Sequence, residues 1–327
     1  MTTHRALGLL SGGLDSALAA RLLLDQGLEV IGLHLESPTA CRSDVREVAR
    51  ALGIRLEVWP KGEEYLRLLR SPRFGYGKNM NPCIDCRVFM FHAAKRCLDE
   101  VGAEFVFTGE VVGQRPMSQS RNSLSLIDSE AGLAGRILRP LSARLLPMTE
   151  PERQGWVDRE RLLAISGRGR ETQLELAAEF GLEHYESPGG GCLLTDANFS
   201  IKLRDLFDHV PEERTTLEDV RLRRLGRHFR LGAELKIVLG RNQDENRQLA
   251  NFANAEQWLV EPDGFNGPHA LVCGPRGEGS LREAIVLIAR YTRSPQPDFR
   301  VRWHEGGEEH RAVLGSAVST EVAAGSV

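Results

Sequence analysis

Residues Ser11-Gly12-Gly13-Leu14-Asp15-Ser16 stand between an apolar run, Ala6 to Leu10, and an amphipathic run, Ala17 to Leu24. A glycine and hydroxyl cluster at a strand-to-helix junction narrows the choice of folds to those that carry a phosphate loop. The paired glycines let the backbone approach a phosphate closely, and the hydroxyls of Ser11 and Ser16 add donors. The helix start supplies free N–H groups and a partial positive charge. An ordinary glycine turn is the alternative, but the full run in this context is far more specific than a lone glycine pattern. The segment lacks the Gly-Lys-Ser/Thr ending of a Walker loop, which argues against a lysine-cradled γ-phosphate.

The chain around this loop alternates strand and helix. Apolar runs at 6–10, 29–35, 55–58 and 105–107 read as buried strands, and helical periodicity covers 16–24, 43–52 and 88–101. This pattern predicts an α/β fold, a doubly wound parallel sheet with ligands at the carboxyl ends of its strands. The loop after Leu10 and the turn at Thr108-Gly109-Glu110 then share one edge. Long loops punctuated by Pro116, Pro140 and Pro147 precede a helix at 171–180 that Gly181 ends. A shift in composition near Pro211 divides the chain into residues 1–210, a smaller α+β domain at 215–304, and a flexible tail at 305–327. The smaller domain shows strands at 235–239, 257–260 and 270–273 and helices at 244–252 and 281–291.

With 327 residues the chain can bury two cores, and its net charge of −3 gives no global reason to meet nucleic acid. RNA binding therefore needs a local patch, and Arg221, Arg223, Arg224, Arg227, His228, Arg230 and Lys236 offer one. A solvated helical face is the plainer reading of any single arginine among them. No apolar run is long enough for a membrane span, and the first residues lead straight into a strand, so a cytoplasmic protein is expected.

Six cysteines in a chain of this size point to metal or sulfur chemistry rather than a disulfide scaffold. Cys83-Ile84-Asp85-Cys86 follows Pro82, with a helix expected to begin at or soon after Cys86, where a helix start lowers a thiol pKa. One C-x-x-C gives only two ligands, and Cys192, in a triple-glycine loop, is the natural third. Cys97 has apolar neighbours at helical spacing and reads as core. Cys41 and Cys273 read as inert thiols.

The loop at 11–16 resembles the signature of the PP-loop ATP pyrophosphatases, which cleave ATP between its α and β phosphates and adenylate a substrate oxygen. Asn81-Pro82-Cys83-Ile84-Asp85-Cys86, Thr108-Gly109-Glu110, and Gly191-Cys192-Leu193-Leu194 with Phe199 and Leu203-Arg204-Asp205-Leu206 look like the tRNA 2-thiouridine synthetases within that family. That resemblance covers the first two thirds of the chain. It implies that Cys86 and Cys192 are the catalytic pair and that Ser11, Gly12, Gly13, Asp15, Ser16 and Gly109 bind ATP, with Asp15 also catalytic. It further implies that backbone near Leu33 and His34 edges the adenine. Cys83 stands where an aspartate is common and Glu110 where a histidine is common. Three thiolates resemble instead the thiolation enzymes in which Cys83, Cys86 and Cys192 would hold a 4Fe-4S cluster with one iron open.

The carboxyl-terminal part is similar to the NFACT-R domain, on Val238-Leu239-Gly240-Arg241-Asn242, Glu245-Asn246, Gln257-Trp258-Leu259, Gly267-Pro268-His269 and Ala289-Arg290-Tyr291. This similarity implies an RNA-binding module, with Arg223, Arg224, Arg227, Lys236 and Arg241 meeting the RNA. The combined expectation is ATP-dependent tRNA thiolation, with Mg²⁺ shared by the phosphates. The sulfur donor would be sulfide or a cysteine desulfurase or sulfur carrier. A cluster-free persulfide on Cys192, and a small-molecule sulfur transferase or ligase on the same fold, are the alternatives. A non-catalytic RNA-binding protein would leave Asp15 and the cysteines without purpose. Nothing in the sequence decides between a monomer and a homodimer.

Overall fold

A computed structural model describes residues 4–40, 44–185, 192–294 and 298–315. The chain forms two compact units, Met1–Thr195 and Asp196–Val327. The first holds a five-stranded sheet of β1 (Arg5–Leu9), β2 (Glu29–Glu36), β3 (Arg55–Pro60), β4 (Phe105–Thr108) and β5 (Ile137–Leu138). Their order is β3-β2-β1-β4-β5 and every pairing is parallel. The chain starts in the middle, winds to one edge through β2 and β3, and returns beside β1 as β4. The switch point of the sheet, where ligands bind in such folds, therefore lies between the carboxyl ends of β1 and β4. Leu9 pairs with Leu33 on one side and Thr108 on the other, which places the Ser11 loop and Gly109 side by side.

Alternate residues of these strands fill two cores. Leu7, Leu9, Ile31, Leu33 and Val106 pack with Phe91 and Cys97 on one face, and Ala6, Val30, Phe105 and Phe107 pack with Ala19, Ala20 and Leu23 on the other. Cys97 is fully buried, a core thiol as expected. Gly109 is required by a close approach. A Cβ there would fall 2.4 Å from the carbonyl carbon of Asp15 and 2.5 Å from the nitrogen of Ser16.

The helix behind the C-x-x-C is longer than its periodicity suggests. It spans Cys83–Val101, with Pro82 at the N-cap, Gly102 closing it in the left-handed region, and the amide of Cys86 donating to Pro82 O at 2.8 Å. Both cysteines thus lie in its first turn. Asp85, between them, accepts from the amides of Arg73 (2.8 Å) and Phe74 (3.1 Å), which pins the incoming loop and extends the helix backwards.

The second unit begins earlier than residue 210, because helix Ala197–His209 is tied into it by Asp205. That carboxylate takes a forked pair from Arg230, both bonds at 2.9 Å, and a further bond from Lys236. The second unit holds an antiparallel sheet in which, among the described residues, the unit's last two strands stand at one edge and its first at the other. In chain order the strands are β6 (Arg227–Arg230), β7 (Lys236–Leu239), β8 (Gln257–Pro262), β9 (Ala270–Cys273), β10 (Asp298–Glu305) and β11 (Glu308–Gly315). Helix Glu278–Tyr291 covers its apolar face with Ala284, Leu287 and Ile288.

Two expectations are corrected here. The basic stretch after Arg221 is not one helical face, since Arg227–Arg230 is a strand paired with β7. The tail does not begin at 305. Gly306 and Gly307, both with positive φ, turn the chain so that β11 pairs along β10, and Ala312 and Leu314 pack on the sheet core. Alternating half-buried residues supply what the composition of that segment conceals. Residues 316–327 lie outside the described residues. Among the described residues no helix is long and apolar enough to cross a membrane.

Candidate nucleotide and thiol site

Four strand ends supply the site. Ser11 follows β1, Ser37 and Thr39 follow β2, Lys61 follows β3 and Gly109 follows β4, and all five line one cavity of about 270 Å³. The loop after β1 is braced by its own hydroxyls. Ser16 Oγ donates to Gly13 O at 2.8 Å and lies 3.3 Å from Ser11 Oγ, while the Gly13 amide donates to Ser11 Oγ at 3.3 Å. Gly12 bends the turn at φ 83°, a conformation that suits glycine. Helix Leu14–Leu24 begins directly behind it, so its first amides and partial positive charge lie beside the loop.

Asp15 lines the cavity. Its Oδ2 accepts from Gln114 Nε2 at 3.0 Å and lies 3.7 Å from Arg170, whereas Oδ1 is buried without a partner. His34 also lines it and donates through Nδ1 to Leu10 O at 2.9 Å, which leaves Nε2 as the nitrogen able to accept. Leu33 does not reach the cavity: its side chain is in the core and its carbonyl accepts from the Leu10 amide. Gly12 and Gly13, expected to bind ATP, do not line the cavity and serve the shape of the turn. Glu110 is buried and committed to the scaffold. It accepts from Arg139 Nε at 3.0 Å and faces Arg87 Nε at 3.3 Å, while Arg139 forks onto Asp128 at 2.6 and 2.8 Å. Burial alone would raise its pKa, but Arg87 and Arg139 outweigh this and hold it below the usual range.

Cys83, Cys86 and Cys192 line the same cavity as Ser11, Asp15 and Ser16. Cys192 is set there by flanking backbone: the Leu193 amide donates to Thr39 O at 3.1 Å, and Thr195 donates back to Cys192 O through its amide and hydroxyl. Asn79, in the left-handed region, donates to Thr195 O at 2.7 Å. The three thiols differ in chemistry. Burial pushes Cys83 up and Cys192 up to about 11. Burial opposes ionisation of Cys86 too, but Lys61, Tyr65 and Arg87 overcome it and bring its pKa down. Lys61 Nζ donates to Cys86 Sγ at 3.3 Å and lies 4.2 Å from the Tyr65 ring centroid, and the Tyr65 hydroxyl is 3.6 Å from the same sulfur. Among the described residues no three His, Cys, Asp or Glu side chains group closely enough to hold a metal ion. Cys41 and the glycines at 189–191 lie outside the described residues, and Cys273 ends β9 in the second unit.

Sequence reasoning missed Lys61, Tyr65, Arg87 and Arg115, all of which line the cavity. Lys61 had a signal, since it follows directly on β3 at the carboxyl edge where ligands gather. The other three sit at ordinary helix and loop positions.

The arginines and lysine expected to meet RNA are separated by the fold. Arg227 is exposed on β6 with its guanidinium 5.0 Å from the Tyr291 ring centroid. Arg224 is half-buried, and Arg241 is exposed but forks onto Glu245. Lys236 and Arg223 are buried, the first paired with Asp205.

Residues 1–144 match the family described as thiamine biosynthesis protein (ThiI), and residues 226–323 match the NFACT protein RNA binding domain. The chain is 28% identical over 147 residues to a probable tRNA sulfurtransferase of Methanothermobacter thermautotrophicus, which is 43% of this chain and 37% of that one. The chain thus spans well under half the length of that relative. A solved 4-thiouridine synthetase in complex with RNA and ATP is similar over 64% of this chain and 52% of its own, at 23% identity and a TM-score of 0.37. The tRNA-specific 2-thiouridylase MnmA of Acidothermus cellulolyticus is 32% identical over 335 residues, 89% of this chain and 86% of the relative. By that extended identity, and by a glycine-hydroxyl loop that shares one cavity with three cysteines, the chain belongs to the PP-loop tRNA thiolation family.

Proposed function

We propose that the chain catalyses ATP-dependent thiolation of a tRNA base in the cytoplasm. The observation that carries this reading is a single cavity at the sheet switch point whose lining includes both Ser11, Asp15 and Ser16 and Cys83, Cys86 and Cys192. The loop and the helix start receive the phosphates of ATP. A carbonyl oxygen of the base attacks the α-phosphorus, the bond to the bridging oxygen breaks, and pyrophosphate leaves. Sulfur then attacks the adenylated carbon, and AMP departs with the oxygen. Asp15, whose Oδ1 is buried without a hydrogen-bond partner, is the residue that would hold a Mg²⁺ ion, which would supply neutralisation of phosphate charge. The second unit holds the tRNA.

The donor chemistry of Cys83, Cys86 and Cys192 suits an iron–sulfur group. A 4Fe-4S cluster held by these residues would supply sulfide to the adenylated carbon. The ammonium of Lys61 against Cys86 favours a second, cluster-free reading. There Cys192 carries a persulfide, the Cys86 thiolate attacks its inner sulfur, and the outer sulfur goes to the base. A Cys86–Cys192 disulfide results, and an external dithiol reduces it. The cluster version draws its sulfur from sulfide or from a desulfurase or carrier protein, whereas the persulfide version takes its outer sulfur by transfer from a persulfide already carried on a desulfurase or carrier protein, whose thiol is released.

The test is tRNA-dependent turnover of ATP by protein purified without oxygen. AMP and pyrophosphate are the expected products, abolished in Ser16→Ala, and release of ADP and phosphate overturns the reading. An iron count with Cys83→Ala separates the versions. Joint loss of iron and thiolation supports the cluster, and retained activity supports the persulfide.

A further inference from the structure

The second unit contains a cavity of about 920 Å³, lined in part by Arg223, Arg230, Lys236, Asp219 and Cys273. Arg223 stands at the carboxyl end of helix Leu217–Leu222 and is only 4% exposed. Its Nε and Nη1 are buried and have no hydrogen-bond partner. A guanidinium does not shed its proton in proteins, so burial cannot be relieved by neutralisation. A buried charge of this kind, with donors unmet, is strongly unfavourable unless a ligand completes it.

The neighbouring groups do not complete it. Asp205 is taken by Arg230 and Lys236. Asp219 turns its carboxylate back to Thr216, accepting from the amide at 3.0 Å and the hydroxyl at 2.8 Å. The Cys273 thiol is pushed up by burial to about 11, so it carries no compensating charge at neutral pH. The Arg223 side chain is left without a hydrogen-bond or ion-pair partner among the described residues, on the wall of a cavity whose volume falls in the range of small-ligand sites. A planar fork of N–H donors matches two oxygens of a phosphate.

We infer that this cavity is a phosphate-binding site in which Arg223 grips two oxygens of the bound group, supplied by an RNA backbone or by a free nucleotide or phosphate. The inference leans on the RNA reading of this unit only for the source of the phosphate. Every residue named in the site belongs to the carboxyl-terminal unit, and none to the loop at 11–16.

The test uses the full chain and follows alkylation of Cys273 by iodoacetamide at alkaline pH, peptide by peptide in a mass spectrometer. Inorganic phosphate, AMP and a short single-stranded RNA are added in turn. Saturable protection of Cys273 is expected, with the rate falling about tenfold once the ligand reaches about ten times its Kd. Arg223→Met should abolish that protection, and Ser16→Ala should leave it intact. If Arg223→Met does not fold, Arg223→Lys makes the same comparison, with weaker protection expected because the fork is lost. RNA acting at far lower concentration than AMP or phosphate identifies the backbone as the source, and equal action identifies the free anion. Absence of protection by all three overturns the site, and so does protection that persists without the Arg223 fork. Failure of the thiolation reading would appear elsewhere, as AMP formation surviving in Ser16→Ala.

Discussion

Lys61 Nζ lies 3.3 Å from Cys86 Sγ, joining the end of β3 to the first turn of the helix Cys83–Val101. Cys86 is half-buried, desolvation opposes its ionisation, and the ammonium favours the thiolate that both sulfur-transfer routes require. Lys61 stacks over Tyr65 at the same time, so its position is set from two sides.

Replacing Lys61 by methionine should therefore separate the two halves of the reaction. Hydrogen bonds to charged groups contribute about 1.5–3 kcal/mol, which corresponds to about ten- to hundredfold in rate. Thiolated product should fall by that factor while tRNA-dependent pyrophosphate release stays near wild type. A parallel loss of both would place Lys61 in the adenylation step instead.

Gly109→Ala should damage the ATP loop from the neighbouring strand. The added Cβ meets backbone of Asp15 and Ser16, which cannot swing away as a side chain end would. Overpacking of this kind costs about 1–3 kcal/mol. We expect a lowered Tm and a raised KM for ATP. Unaltered ATP binding would show that the loop can shift away from β4 without harm.

Glu110 links stability to pH. Its folded-state pKa lies below the ordinary value of 4.5, so its contribution is fully present above that value and is lost as pH falls through the folded-state pKa. Glu110→Gln should be less stable at neutral pH, by about 1.5–3 kcal/mol, the scale of a hydrogen bond to a charged group, because Arg139 keeps its fork on Asp128. The gap to wild type should narrow in acid. Urea unfolding at neutral and acid pH measures both, and a gap independent of pH would remove the carboxylate from this role.

The salt dependence of tRNA binding should respond to Arg227 and ignore Arg241. Arg227 is exposed, whereas the guanidinium of Arg241 is already forked onto Glu245. Removing one cation that neutralises a phosphate makes the slope of log affinity against log salt shallower by about 0.7–0.9. Arg227→Ala should show that change and Arg241→Ala should not. Slopes unchanged from wild type in both variants would mean that neither meets a phosphate.

The sequence by itself determined the phosphate loop, the alternation of strands and helices, and the thiols worth watching, because these depend on short-range geometry. Glycines at a strand-to-helix turn, a proline ahead of Cys83 and alternating apolar residues act within one or two turns of chain. The tertiary structure alone decided which charges remained available. Lys236 is neutralised by Asp205, 31 residues away, and Glu110 by Arg139, 29 residues away, so a basic run or a motif position does not reveal its partner. The same holds for Lys61 and Cys86, 25 residues apart, and for the hairpin of β10 and β11, whose half-buried Ala312 and Leu314 gain value only against a sheet core. Ion pairing and burial are set by what folding brings within a few ångströms, and that proximity is a property of the assembled sheets rather than of any local pattern.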